Sequence, residues 1–209
     1  MIDKKSYKNI LGNKSISLNI FYFGIKDAET KSWKTNPDGS KIRDGTQIPM
    51  EELMAHSEGF LFELGSFLDI FIKYICGKDT SEEIYFNLDT INKITNPDEF
   101  IESLKTYWNL GVSNNENLSL KKMKEYRNAI THATILDLSK HLMWKKEDGF
   151  PTLSRNYYIL PDNPEASFGS YTYDRRIALF GFIEEMGKIF DAMIKELNEK
   201  EIYSKYTLR

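Results

Sequence analysis

The residues of this chain that could do chemistry concentrate in one segment, where polar side chains interrupt a helical pattern. Arg127, Asn128 and His132 lie within residues 119 to 143, where apolar residues recur every third or fourth position. Arginine presents a fixed fork of donors that matches phosphate oxygens, and its charge is permanent. Histidine can accept and release a proton near neutral pH. Together these residue types suggest acid–base chemistry on a phosphodiester.

The spacing of Arg127 and His132 sets a geometric condition on any site that they share. The two residues are five positions apart, and on a continuous helix their side chains would diverge by about 140°. A single straight helix therefore does not readily aim both side chains at one phosphate. Shared action requires a second copy of the chain or a break in the helix between them.

Lysines flank the same segment, although the whole chain has a formal net charge of −3 and a pI of about 5.7. Lys121, Lys122 and Lys124 precede Arg127 and are candidates for phosphate or RNA contacts. A solvated helix face is the alternative for these lysines. The acidic balance of the chain argues against a protein that coats nucleic acid through bulk charge, but it leaves a local phosphate site open.

Structural roles compete with each of the central assignments. Arg127 could instead form an ion pair with Glu63 or Asp137. His132 could be a hydrogen-bonded histidine of the core or of an interface. Asn128 could serve only to start a helical segment.

An earlier helix carries a second, accessory pair of candidates. His56 and Glu63, with Glu52, line one edge of that helix, and they would join the site if this edge faces it. Salt bridges on a solvated edge are the alternative. His141 has no matching partner, so we expect it at the surface. The chain has one cysteine and no ligand set with metal spacing, so we expect no metal and no cofactor.

Four helices account for most of the apolar pattern. Apolar stripes and turn signals predict helices at about residues 49–76, 96–110, 119–143 and 173–200. Asn96 is the expected N-cap of the second helix. Residues 157 to 160 form an apolar run typical of a short strand.

The first 47 residues are harder to assign. Apolar residues alternate between Ile16 and Tyr22, which favours a strand, and an amphipathic arm is the alternative. Residues 26 to 47 are polar and rich in turn signals, which predicts an exposed loop or a hairpin.

These elements predict an all-α fold, an antiparallel bundle of three to five helices with irregular insertions. We expect an N-terminal arm or loop at residues 1–47 and a helical domain at residues 48–203. No apolar run approaches the roughly 20 residues of a membrane span, and no signal peptide is visible. The expected location is the cytoplasm.

The segment from Arg127 to His132 resembles the signature of the HEPN superfamily of all-helical domains. That signature is an arginine, then a polar residue such as asparagine, and a histidine after a gap of four to six residues. Here all three residue types match, and the gap is four. The order of the flanking helices agrees as well. The resemblance is to the bacterial ribonuclease and toxin branch, and it covers about residues 48–200.

The resemblance implies a metal-independent ribonuclease of toxin or phage-defence type. A homodimer would bring the motifs of two protomers to one cleft, with an antitoxin or regulatory protein as a further partner. His132 would shuttle protons, Arg127 would stabilise the charged phosphate, and Asn128 would orient the phosphate or the histidine. A non-catalytic HEPN module that binds nucleotide or a partner protein is the alternative. A purely structural helical scaffold is a third hypothesis.

Overall fold

A computed structural model describes residues 4–31, 33–35, 37–39, 41–43, 50–132, 138–147, 150–166 and 169–209. Six α-helices make up most of the described chain: α1 (Lys4–Lys31), α2 (Met50–Ile75), α3 (Leu88–Asn92), α4 (Glu99–Leu110), α5 (Leu120–Thr131) and α6 (Leu179–Glu199). The prediction of a mostly helical fold is confirmed. The single-turn helix α3 is additional to the predicted elements, and a 3-10 turn at Glu116–Leu118 precedes α5.

Three small antiparallel sheets decorate the described helices: β1 (Trp33–Thr35) with β2 (Lys41–Arg43), β3 (Ile94–Thr95) with β7 (Thr207–Leu208), and β4 (Ser139–Glu147) with β5 (Phe150–Leu160) and β6 (Ile177–Ala178). The sequence predicts a loop or a hairpin within residues 26 to 47, and the antiparallel β1–β2 pair is that hairpin. None of the described helices is long and apolar enough to cross a membrane.

The first helix corrects the expectation of a strand, arm or loop at the start of the chain. α1 is 28 residues long, and its buried side chains belong to the same hydrophobic core as those of α2 and α6. The alternating pattern misled because apolar residues occupy both faces of this helix. Leu18 is 1% exposed on the inner face, whereas Ile16 and Ile20 are each 61% exposed on the outer face.

Two glycines let α1 and α2 approach closely. A Cβ atom on Gly24 would lie 2.5 Å from the ring of His56, and one on Gly59 would lie 2.4 Å from the ring of Phe21. Each glycine therefore provides the space that an aromatic or imidazole ring of the opposite helix fills. The helices run antiparallel, since Tyr7 near the start of α1 packs on Tyr74 at the end of α2, with ring centroids 5.9 Å apart.

The motif helix is shorter than the sequence pattern predicts. α5 ends at Thr131, and from Ser139 the chain continues as strand β4 rather than as helix to residue 143. Strand β4 pairs with β5, whose last residues Tyr158, Ile159 and Leu160 are buried. Pairing with the strand that directly follows it in the chain thus overrides the helical spacing, because strand formation depends on cross-strand context more than on local preference.

Two helix starts also differ from their predicted positions. Asp98, not Asn96, caps α4, because its side chain accepts a hydrogen bond from the Ile101 amide at 3.2 Å. Asn96 instead adopts a left-handed backbone with φ of 53° just before the helix. α6 begins at Leu179, six residues later than expected from Tyr173. The cap bond of Asp98 sets the first boundary, and strand β6, which ends at Ala178, sets the second.

Burial of α1 predicts a large stability cost for one truncation. Ile25 is fully buried, so Ile25→Ala should lower the free energy of unfolding by about 2–5 kcal/mol through lost burial and the cavity left behind. Urea denaturation followed by circular dichroism measures this change. Asn9→Ala, at an exposed position of the same helix, is the control and should change it by less than about 0.5 kcal/mol. Equal effects would show that α1 does not contribute to the core.

Candidate functional site

Helix α5 presents one buried face and one polar face. Leu120, Met123 and Tyr126 are almost fully buried and fix the helix against the core. Ser119 caps the helix, with its hydroxyl oxygen accepting the Lys122 amide at 3.3 Å. This anchoring directs Lys124, Arg127, Asn128 and Thr131 to the other side, because residues three, four and seven positions apart share one helix face.

Arg127 is seated on α2 by three contacts of different kinds. Its guanidinium lies over the ring of Phe62, 5.9 Å from the centroid. Its Nη2 is 3.9 Å from Oδ2 of Asp69. The stem of the side chain passes over Gly65, where an added Cβ would lie 3.0 Å from Cγ of the arginine. Phe62, Gly65 and Asp69 therefore form a seat for this side chain, which remains 24% exposed.

Arg127 and Asn128 contact each other directly. Nη1 of Arg127 donates to Oδ1 of Asn128 over 3.4 Å, a long hydrogen bond between neighbouring side chains. Nε of Arg127 is buried and has no hydrogen-bond partner within the described part of the chain. Because Nε is buried, an anionic ligand could be reached only by the Nη groups of this side chain, which carry four of its five N–H donors.

Asp69 is the buried carboxylate of the site. Its side chain is 15% exposed, and Oδ1 accepts the Phe86 amide at 2.8 Å. Burial raises the pKa of this carboxyl above its usual value, while the Phe86 amide and the cations Lys124, Arg127 and Lys73 act in the opposite direction. The ionised form of Asp69 is therefore held by surrounding donors at a cost in desolvation.

Lys124 serves the same local structure and is not directed at solvent. Its ammonium donates to the Phe86 carbonyl at 2.7 Å and lies 5.9 Å from the ring centroid of Trp108. Burial lowers the pKa of Lys124, the Arg127 charge lowers it further, and Asp69 opposes both. Asp69 and Lys124 thus hold the amide and the carbonyl of one residue, Phe86. This lysine is a structural tie between α5 and the segment before α3.

His132 stands at the end of the motif helix. It is the C-cap residue, with φ of −96° and ψ of 29°, and its amide donates to the Asn128 carbonyl at 3.0 Å. Its side chain is exposed. No break separates Arg127 from His132, because the His132 amide still closes the last helical turn, so the expected divergence of the two side chains remains. Asp137, the alternative ion-pair partner of Arg127, lies outside the described residues.

The other two lysine candidates differ in exposure and in contacts. Lys121 is exposed on the polar side of α5. Lys122 is buried, with 8% of its side chain exposed, and it pairs with Glu125 at 2.7 Å. Its ammonium also donates to the carbonyl of Asp162 beyond strand β5. Of the three lysines, only Lys121 has an ammonium that is placed for solvent or for RNA.

The accessory candidates lie on a different side of α2, against α1. Glu63 pairs with Lys14 of α1 at 2.8 Å, so it is not the ion-pair partner of Arg127. His56 packs edge-on to Phe21, with ring centroids 6.2 Å apart, and its Nε2 is 3.9 Å from Glu52. The structure does not bring this edge of α2 to the Arg127 side chain.

Asp69 is the acidic neighbour of Arg127 that the sequence interpretation missed. A signal for it existed, because Asp69 interrupts the otherwise apolar run from Phe67 to Ile72 on a buried helix. A charged side chain in such a run calls for a partner. Its position two turns after Phe62 places it on the α5-facing side of α2.

Comparisons with family models, curated proteins and solved structures found no match for this chain. Among the described residues, no group of three or more His, Cys, Asp or Glu side chains is arranged to hold a metal ion.

The contacts of Asp69 predict that its two simplest variants differ. Asp69→Ala leaves the Phe86 amide without its acceptor and should lower the free energy of unfolding by about 1–3 kcal/mol. Asp69→Asn retains an acceptor and should lose less at neutral pH. Urea denaturation of both variants measures this difference.

The raised pKa of Asp69 also predicts a pH dependence with a defined sign. The native state holds the proton to higher pH than the unfolded state, whose value is about 3.9. The contribution of Asp69 to stability is therefore greatest at low pH and falls as pH rises through the raised native value. Wild type should lose stability relative to Asp69→Asn from about pH 4 upward. A wild type that gains stability relative to Asp69→Asn as pH rises over that range would contradict the raised pKa of Asp69. Asp174→Asn, at an exposed carboxylate, is the control.

Proposed function

We propose that this protein is a metal-independent endoribonuclease of the HEPN type. The observation that carries the proposal is the seat of Arg127. Its guanidinium is fixed on Phe62 beside Asp69, contacts Asn128 and keeps unengaged N–H groups. One helical turn later, α5 ends and leaves His132 exposed. An arginine that can bind the phosphate and an exposed histidine that can carry a proton are the minimum that this chemistry needs, and two protomers would have to bring them to one phosphate.

The proposed reaction is an internal transfer within RNA. The ribose 2′-oxygen attacks the adjacent phosphorus as a base removes its proton. The bond from phosphorus to the 5′-oxygen of the next nucleotide breaks, and an acid protonates that oxygen. The products are a 2′,3′-cyclic phosphate and a 5′-hydroxyl. Arg127 would stabilise the negative charge that accumulates on the phosphate oxygens, and Asn128 would orient the phosphate or the guanidinium.

This chemistry supports a homodimer. Attacking and leaving oxygens lie roughly in line at phosphorus, so the base and the acid stand on opposite sides of it. The motif supplies one histidine in each protomer. Two copies of His132, one from each protomer, would supply both proton transfers at a shared cleft.

The biological setting follows from the resemblance alone. We propose a toxin or phage-defence nuclease of the cytoplasm, restrained by an antitoxin or regulatory protein. Lys121 is the candidate for contacts with the RNA backbone, because its side chain is exposed on the polar side of α5.

Loss of either motif residue should abolish cleavage. His132→Ala should reduce the rate of RNA cleavage in EDTA by about 10²–10⁴-fold, since a general acid–base group is removed. Arg127→Gln should reduce it by about 10²-fold or more, because a donor to the transition-state charge is lost. The readouts are the cleavage rate and the cyclic phosphate terminus of the product.

His141→Ala is the matched control, since this histidine lies outside the motif, and it should cleave as wild type does. Wild-type protein that leaves RNA intact, or cleavage that survives in His132→Ala, would contradict the proposal. Calorimetric titration of wild type and Arg127→Gln with nucleotides separates a binding module from an inert scaffold.

A cleft that needs both copies of His132 predicts that a dimer with one intact histidine is inactive. Wild-type protein, unfolded and refolded with an equal amount of His132→Ala, should therefore lose about half of its cleavage, because about half of the wild-type chains enter mixed dimers. The reference is the cleavage rate of the same amount of wild type refolded alone. A rate that stays unchanged would show that one histidine is enough or that each protomer acts alone.

A further inference from the structure

The outer face of α1 carries an apolar stripe that the described chain does not cover. Ile16, Ile20 and Phe23 are 61%, 61% and 66% exposed. Their spacing of four and three positions places them on one side of the helix. Three large apolar side chains in a row exceed the scattered exposure that is normal for a surface, and such patches mark interaction sites.

A groove between α1 and α6 runs beside this stripe. It contains a cavity of about 330 Å³ whose lining includes Leu18, Tyr22 and Phe23 of α1 and Gly187 of α6. Further along the same two helices lies a second cavity of about 300 Å³, lined in part by Gly12 and Leu197. The stripe and the groove meet at Phe23, and the groove adds both apolar and charged side chains to this surface.

We propose that a second copy of this chain covers this surface, with the two α1 helices antiparallel about a two-fold axis between residues 16 and 20. In that register Ile16 of each copy meets Ile20 of the other. Phe23 then lies opposite Asn13 and next to Gly12 of the other copy, where an added Cβ would find no atom within 4 Å. The large ring of Phe23 in each copy therefore lies near open space at Gly12 of the other copy, as a self-complementary two-fold contact requires.

The charges at the two ends of this surface favour the same orientation. Lys5 and Lys8 lie at the start of α1, and Lys8 lines the second cavity. At the other end of α1, Asp27 and Glu29 offset Lys26 and Lys31. The first cavity adds Glu184 and Asp191 against Lys188, which leaves this end weakly acidic. Antiparallel pairing brings the basic end of one copy beside the acidic end of the other. Parallel pairing would bring like ends together.

This interface is independent of the proposed nuclease site. α1 contacts the side of α2 that carries His56 and Glu63, whereas Arg127 contacts the side that carries Gly65 and Asp69. Pairing through the outer face of α1 therefore does not join two Arg127 side chains. A dimer that shares a catalytic cleft would use a different surface.

Sedimentation equilibrium of the full chain across a concentration series tests the association. Wild type should show a reversible monomer–dimer equilibrium. Ile20→Glu should raise the dissociation constant by about tenfold or more, because a charge is buried in an apolar contact. Val112→Glu is the matched control at another exposed apolar residue, 43% exposed, and should leave the constant unchanged. A wild type that is monomeric throughout, or an Ile20→Glu variant that dimerises as well as wild type, would overturn the proposal.

Cysteine cross-linking tests the orientation. Ile16→Cys and Ile20→Cys proteins are oxidised separately and as a mixture, with the native Cys76 buried in the core. Antiparallel pairing predicts that disulfide dimers form mainly between the two different variants, because those positions face each other within disulfide range. Dimers that form equally well within each single variant, and no better in the mixture, would overturn the antiparallel arrangement. Neither experiment depends on RNA cleavage. An Ile20→Glu variant that associates like wild type overturns this interface alone, whereas a wild type that is monomeric throughout also contradicts a shared catalytic cleft.

Discussion

The candidate site depends on one buried carboxylate. Asp69 lies on α2 and accepts the amide of Phe86, while Lys124 of α5 donates to the carbonyl of the same residue. One main-chain segment is thereby clamped between two helices by groups of opposite charge. The carboxylate and the ammonium are both largely buried, and an isolated charge there would be costly. Removing either one would weaken the compensation of the other charge and free one end of the Phe86 peptide groups, so the pair ties the two helices to the segment between them.

The same carboxylate explains why Arg127 occupies a defined place. Its nearest distance to Asp69 is 3.9 Å, longer than a hydrogen bond, and Lys124 already supplies one positive charge at Asp69. The attraction is enough to orient the guanidinium over Phe62 without engaging its donors in a bidentate pair. A tight pair with Asp69 would have consumed those donors. Arg127 is therefore held in a defined position, while Asp69 does not fully neutralise its charge.

Much of the helical fold is predictable from the sequence, because α2, α4 and α6 each present a single apolar stripe with turn signals nearby. α1 is not, because apolar residues on its outer face gave a spurious alternation, and the distinction between Leu18 and Ile20 exists only once α2 is packed. The end of α5 is not predictable either, since Ser139 onward becomes strand only through pairing with β5. The apolar spacing within one segment does not show that this segment will pair with another strand.

The residues of the candidate site likewise divide into those that the sequence predicts and those that depend on packing. Arg127 and Asn128 can be predicted from the motif, since they are neighbours on one helix. Their support does not follow, because Asp69 meets Arg127 only when α2 and α5 cross. The sequence offered Glu63 as the acidic neighbour, but the helix position of Glu63 turns it towards Lys14. Asp69 is six residues further along α2, and that offset moves a side chain to another side of the helix. A partner on another helix is therefore decided by angular position as much as by charge, and angular position has meaning only relative to a packed neighbour.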